Sequence, residues 1–195
     1  MGRLEEELVG HADWAAVARQ YLEVCRAAYA QVMRDPLTDD VVLQNTRLGG
    51  ESDGQGLLVA QGARAEGTGL VVRAKRMAGI YGIADAELEL ERVHVSDTQP
   101  DSAGWGIGLL LEDSSAHVTS SVFINLTLAS VRATGSSVLS GSDMSIAATQ
   151  GSPSDSTFGR GLEARDGARV ALARLFVAKS HETGVYLSGA EATID

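Results

Sequence analysis

Cysteine, aromatic residues and positive charge are all scarce in this chain, and each scarcity removes a class of answer. A single cysteine, Cys25, in 195 residues permits no internal disulfide and no cysteine-based metal site. The core must be stable without covalent staples. Aromatics make up 5% of residues and apolar residues 44%, so the interior is built from Val, Leu, Ile and Ala rather than from rings. Sixteen Lys and Arg stand against 26 Asp and Glu, and the resulting formal charge of −10 repels phosphate backbones and anionic membrane surfaces. Nucleic acid is therefore not expected as a partner. No apolar run of about 18 residues occurs, so no membrane insertion is expected. The opening Met1-Gly2-Arg3-Leu4-Glu5-Glu6-Glu7-Leu8 lacks an apolar h-region and a small-residue cleavage pattern, so no signal peptide is read in it.

Glycine is plentiful, with 22 copies, which points to a β-rich chain with many tight turns. The length suits one domain with a small appendage. The division is expected near residue 39. From Trp14 to Met33 the apolar residues Trp14, Val17, Tyr21, Val24, Cys25, Ala28 and Val32 recur at three and four, which predicts an amphipathic helix. Asp13 stands where an N-cap belongs, and Asp35-Pro36 stops the helix. One such helix is not stable alone, so 1–39 is expected to cap the open end of whatever 40–195 forms. Core packing or solvation, rather than reactivity, is the reading for Cys25 and His11.

Beyond residue 40 the chain repeats. Gly56-Leu57-Leu58-Val59-Ala60-Gln61-Gly62-Ala63-Arg64 matches Gly161-Leu162-Glu163-Ala164-Arg165-Asp166-Gly167-Ala168-Arg169, and the frame restarts at Gly79, Gly108, Ser130 and Gly184. The spacings are 23, 29, 22, 31 and 23 residues, which defines six coils, the last incomplete. With each start as position one, position two reads Leu57, Ile80, Leu109, Val131, Leu162, Val185, and position four reads Val59, Gly82, Leu111, Ala133, Ala164, Leu187. That alternation is a strand with one buried face. Positions fifteen and seventeen hold Leu70, Val93, Val122, Met144, Leu175 and Val72, Val95, Ile124, Ile146, Val177, all apolar. Position seven holds Gly62, Asp85, Ser114, Ser136, Gly167 and Ala190, residues suited to a corner. The third coil fits least well, with Val118 one place late.

Coils of this length bury their apolar side only by stacking on equivalent neighbours at about 4.8 Å, which is the physics of a parallel β-helix. A leucine-rich repeat needs a Leu-x-x-Leu-x-Leu-x-x-Asn/Cys frame that no coil contains, and hexapeptide left-handed helices do not tolerate such uneven spacings. The restarting Gly-Leu/Ile-x-aliphatic followed by Val/Leu-x-Val/Ile resembles the right-handed parallel β-helix repeats of the pectin-lyase-like superfamily, over about residues 40–195. The resemblance implies an all-β solenoid, and an extracellular or cell-surface location. Enzymes of that superfamily act on acidic polysaccharides through clustered carboxylates, often with calcium and a basic residue. The matching cluster is missing here: Asp113 and Asp166 share position six, but Gly135 stands between them. His94, His117 and His181 fall in three columns and are read as exposed and solvated; the loop acids Asp53, Asp97, Asp101 and Asp155 are read as solubilising. No catalytic residue, metal ligand or cofactor is assigned.

The extra residues enter at one point of the coil, at 44–55, 96–107 and 147–160, and so should emerge on one face. Two of these loops share Thr-Gln, a Ser/Asp/Pro stretch and then aromatic-Gly-x-Gly-Leu, with Trp105 and Phe158 as the aromatics. One reading has the rings covering their own loop; the other has them stack on a ligand. On the second, Thr98, Gln99, Trp105, Thr149, Gln150 and Phe158 form the candidate binding face. The expected function is a non-catalytic surface or structural module offering this face to a glycan or protein, the alternative being a polysaccharide lyase or glycoside hydrolase. The uncovered C-terminal end leads to a further expectation: either the chain is a fragment of a longer repeat protein, or that end is buried by self-association.

Overall fold

The structure, a computed structural model, describes the strand Val42–Gln44 and residues 54–195 except 103 and 154–156. All of these belong to the unit Thr38–Asp195. The helix expected within 1–39 and the division near residue 39 lie outside the described residues.

The strands are short and bounded by turns. In chain order they are β1 (Val42–Gln44), β2 (Leu57–Ala60), β3 (Arg64–Thr68), β4 (Val71–Arg73), β5 (Met77–Ile83) and β6 (Glu87–Glu91). Next come β7 (His94–Ser96), β8 (Gly106–Glu112), β9 (Ser115–Thr119), β10 (Val122–Ile124) and β11 (Ala129–Thr134). The last are β12 (Val138–Ala147), β13 (Arg160–Arg165), β14 (Arg169–Ala178), β15 (Thr183–Ser188) and β16 (Glu191–Ile194). No helix occurs among the described residues.

Every ladder between these strands is parallel. One sheet has six strands in the order β15-β13-β11-β8-β5-β2. The other has ten: β1-β4-β7-β10 and β3-β6-β9 form two rows that β12 joins, with β14 on β12 and β16 on β14. The chain thus returns to the six-stranded sheet once per turn, in the manner of a β-helix or solenoid. Alternation along each strand sends Ile80, Leu109, Val131 and Leu162 into a core shared by both sheets, where they are fully buried with Val72, Val95, Leu139 and Ile146.

Left-handed residues mark the corners, and they stack. One column is Gln61, Ala84, Asp113, Gly135, Asp166 and Gly189; a second is Gly69, Arg92, Ser120, Asp143 and Arg174; a third is Ala74, Asp97, Asn125, Ala148 and Lys179. A single residue in this conformation turns the chain sharply between two strands, at a cost that recurs wherever it is not glycine. Backbone bonds between successive corners offset that cost, as from Gly62 N–H to the Ala84 carbonyl at 2.9 Å and from Ala74 N–H to the Ser96 carbonyl at 3.1 Å. Serines close the remaining gaps: Ser121 Oγ accepts the Val93 N–H at 3.0 Å and donates to the Thr119 carbonyl at 2.8 Å.

That serine marks a correction to the column assignment. In β10 the inward residue is Phe123, paired with Val95 and Ile146, whereas Val122 and Ile124 face out. The cause lies at the first corner, where Asp113 and Ser114 span what Ala84, Asp85 and Ala86 span one turn earlier, so every later residue of that turn arrives one place early. Val118, expected one place late, is instead one place early and stands opposite Leu90 and Gly141. A Cβ on Gly141 would lie 1.8 Å from the Val118 carbonyl oxygen, so only glycine fits there.

Candidate functional site

The outer face of the six-stranded sheet is unusual because alternation should leave it wet, yet much of it is buried. Register places Leu58, Tyr81, Leu110, Arg132, Glu163 and Tyr186 in one outward column. Leu58 is exposed, but Tyr81, Leu110, Arg132 and Glu163 are buried. Ala78, Tyr81, Ile107, Leu110, Leu128 and Ala129 form a second apolar cluster, and Trp105 and Phe158 pack against it, each half-buried. Both rings come from the long loops. The first loop is closed on Asp101, whose carboxylate accepts the Trp105 N–H at 2.8 Å while its own N–H donates to the Trp105 carbonyl at 2.8 Å. The second turns at Phe158 and Gly159, both left-handed.

Under these rings lies a buried ion cluster. Glu163, 0% exposed in its side chain, accepts Arg132 Nε and Nη2 on Oε2, both at 2.7 Å, and Arg160 Nη1 on Oε1 at 2.8 Å. Arg160 also reaches Glu182 at 3.2 Å. The Arg132 guanidinium carbon lies 5.6 Å from the Trp105 ring centre, and that of Arg160 lies 4.8 Å from Phe158 and 3.7 Å from Tyr186. Burial pulls the Arg132 guanidinium below its ordinary range, opposed by the charge of Glu163. An arginine stays protonated throughout, so this cost is carried by the pairing and by the ring faces. Two turns before Arg132, Tyr81 donates to Glu112, and burial followed by that carboxylate pushes the phenol above its ordinary range.

The two Thr-Gln pairs divide between inside and outside. Thr98 and Thr149 are buried in an interior column with Lys75 and Leu126, and Thr149 Oγ1 lies 2.7 Å from Ser130 Oγ. Gln99 and Gln150 are exposed at the corner, where bridges join Gln99 to Arg76 and Gln150 to Thr127. Only the glutamines face solvent. Both glutamines are held at this corner by equivalent backbone bonds: Gln99 N–H donates to the Lys75 carbonyl at 2.6 Å, and Gln150 N–H to that of Leu126 at 2.7 Å.

Two adjoining clefts open on the second long loop. One, about 520 Å³, is lined by residues from Ala148 to Pro153 together with Lys179 and His181. The other, about 380 Å³, is lined by Thr157, Phe158, Arg160, His181 and Glu182. His181 belongs to both.

The acidic candidates lie elsewhere. Asp85, Glu87 and Asp113 border a shallow cleft of about 240 Å³ with Ser114, Ser115 and Ser136. Asp113 accepts the Ser136 N–H at 2.8 Å and its hydroxyl at 3.1 Å, which holds its carboxyl below the usual range. A Cβ at Gly135 would sit 2.2 Å from Asp113 Oδ1, a contact the Asp113 side chain can relieve by turning, and no carboxylate stands between Asp113 and Asp166 in this column. Among the described residues no group of three His, Cys, Asp or Glu is arranged to hold a metal ion. Of the histidines, His117 and His181 are exposed as expected, but His94 is buried, and that burial, with Arg73, holds its imidazole below the ordinary value against the pull of Asp97.

Sequence reasoning missed Arg132, Arg160, Glu163 and Tyr186. A signal was present: position three carries Arg132 and Glu163 on successive turns, and opposite charges at one repeat position become neighbours once the turns stack. No protein-family model matches this chain, and no curated protein or solved structure does so.

Proposed function

We propose that this chain is a non-catalytic repeat module that presents the side carrying the loops 96–107 and 147–160 to a glycan or protein partner. One observation carries the reading: a single loop walls two adjoining clefts, of about 520 and 380 Å³, and sets the half-buried Phe158 in the smaller one. Concave sites of about 300–1,000 Å³ with a few polar groups are where small ligands and sugar units bind. The ion cluster behind Phe158 serves the site by holding the loop against the sheet.

Right-handed coiling, six turns, a cap formed by the helix within 1–39 and kinship with the pectin-lyase-like superfamily are parts of the same proposal. So is self-association through the surface where Leu187 is 45% and Ile194 39% exposed. The lyase or hydrolase alternative would use Asp85, Glu87 and Asp113. Ser136 holds the Asp113 carboxyl down, which suits an ionised base or nucleophile and not the general acid that a hydrolase also needs.

The test substitutes Trp105→Ala, Phe158→Ala and both together, with melting and glycan or protein binding measured on the same samples. Loss of binding in Phe158→Ala beyond what its change in melting explains supports the proposal. Lost stability with no specific loss of binding makes the rings loop packing alone. Turnover of a polysaccharide that disappears in Asp113→Asn would replace the proposal with the enzymatic reading.

A further inference from the structure

Among the described residues the apolar core is open at both of its ends. Leu57 and Ala65, which point inward from β2 and β3, are only half-buried, and so are Val185 and Ala190 in the turn that carries β15 and β16. Three of the exposed large apolar side chains stand in the same two turns: Leu58, 51% exposed, in the first, and Leu187 and Ile194 in the last. Each of β2, β3, β15 and β16 is paired on one side alone among the described strands, and so offers a row of backbone N–H and C=O groups along its other edge.

The two ends match, because the same repeat frame builds both. Followed from turn to turn, the ladders of the six-stranded sheet set Leu57 in register with Val185, Leu58 with Tyr186 and Val59 with Leu187. In the other sheet the register runs from Arg64 to Glu191, from Glu66 to Thr193 and from Gly67 to Ile194. A second copy laid with its β2 and β3 along β15 and β16 continues these parallel ladders. Ile194 then meets Gly67, which has no side chain to obstruct it, and Leu187 meets Val59. The step of the solenoid agrees. β16 pairs only the first half of β14, and β1 of the second copy has the register to lie along the remainder, 175–178.

Charge selects the direction. Arg169 reaches Glu191 at 3.5 Å, and Arg64 stands in register with Glu87. Last turn on first turn therefore gives Arg169, Glu191, Arg64 and Glu87 in one outward column, alternating in sign at steps of about 4.8 Å. Last turn on last turn would set Glu191 and Asp195 against the same acids of the other copy.

We infer that the chain stacks head to tail on copies of itself, β15 and β16 of one copy pairing with β2 and β3 of the next. This rests on the self-association proposed for the surface of Leu187 and Ile194, and names the opposite end of a second copy as what covers it. Such a contact is heterologous and does not close, so it builds an open series rather than a dimer.

Sedimentation velocity of the full chain across a range of concentrations should show dimers, trimers and longer species growing together. Leu58→Ser, in the turn farthest from Leu187, should weaken association roughly fivefold, the effect of withholding half a leucine from burial, with the melting temperature nearly unchanged. Direction is read with a short bis-maleimide crosslinker in a Cys25→Ser background, which removes the one native thiol. Glu66→Cys and Thr193→Cys chains should crosslink when mixed and not when either is alone. Thr193→Cys crosslinking to itself, growth that stops at a dimer, or unchanged association in Leu58→Ser overturns the head-to-tail inference and leaves self-association standing. A chain that stays monomeric overturns both, and is the outcome expected if the segment 1–39 takes the edge of β2 and β3 instead.

Discussion

Removing Glu163 should be among the most damaging single substitutions in the described residues. Its carboxylate is fully buried and holds two guanidinium groups, Arg132 and Arg160, whose side chains are 5% and 11% exposed. Glu163→Ala leaves both cations in place with their shared partner gone. Breaking a buried pair from one side costs about 3–5 kcal/mol, because the remaining charge can neither return to water nor find a new partner. For a body of this size that is a fall of roughly 6–20 °C in melting temperature. Arg160 keeps Glu182 at 3.2 Å, so Arg132 carries most of the loss. The double variant Arg132→Met/Glu163→Met should therefore be more stable than Glu163→Met alone, since it removes the stranded charge as well as the pair. Urea unfolding would be followed by circular dichroism and by tryptophan emission, Trp105 being the ring stacked on Arg132. A loss below about 1 kcal/mol in Glu163→Ala, on the scale of an exposed pair, would refute the argument. So would a double variant as unstable as the sum of its singles.

Three further outcomes are expected. Hydrogen bonds from Arg174 and then Ser142 hold the Asp143 carboxyl down at about 2, so its contribution is present above the ordinary value of 3.8 and is lost as pH falls through about 2. In Arg174→Ala an NMR titration should find Asp143 shifted up towards 3.8, and an unmoved midpoint would discount the pair. Gly141→Ala should cost about 2–4 kcal/mol because the added Cβ meets the backbone of Val118, whereas Gly135→Ala should cost less because the Asp113 side chain it meets can swing away; equal melting temperatures would contradict that ordering. Substituting Leu187→Ser and Ile194→Ser should lower self-association in sedimentation without lowering stability, and a wild-type chain that stays monomeric at high concentration would remove that part of the proposal.

The sequence by itself determined the strand alternation and the parallel stacking, because one short frame recurs and a coil that cannot bury its own apolar side must stack on a copy of itself. Ile80, Leu109, Val131 and Leu162 stand in one buried column as read from the repeat. Counting failed where the third turn lost a corner residue, since a shift of one place exchanges inside for outside and made Phe123, not Val122, the core residue. Trp105 and Phe158 were legible as repeated rings, but a repeat cannot say what a ring rests on. Only tertiary structure decided that they cover the outer face of a sheet whose column pairs Arg132 with Glu163, because a parallel stack brings together residues that lie 31 positions apart along the chain. The direction of the Gln150 amide is equally invisible in sequence, since it donates to Asn125 and Asn125 to Asp97, across two turns of stacked corners.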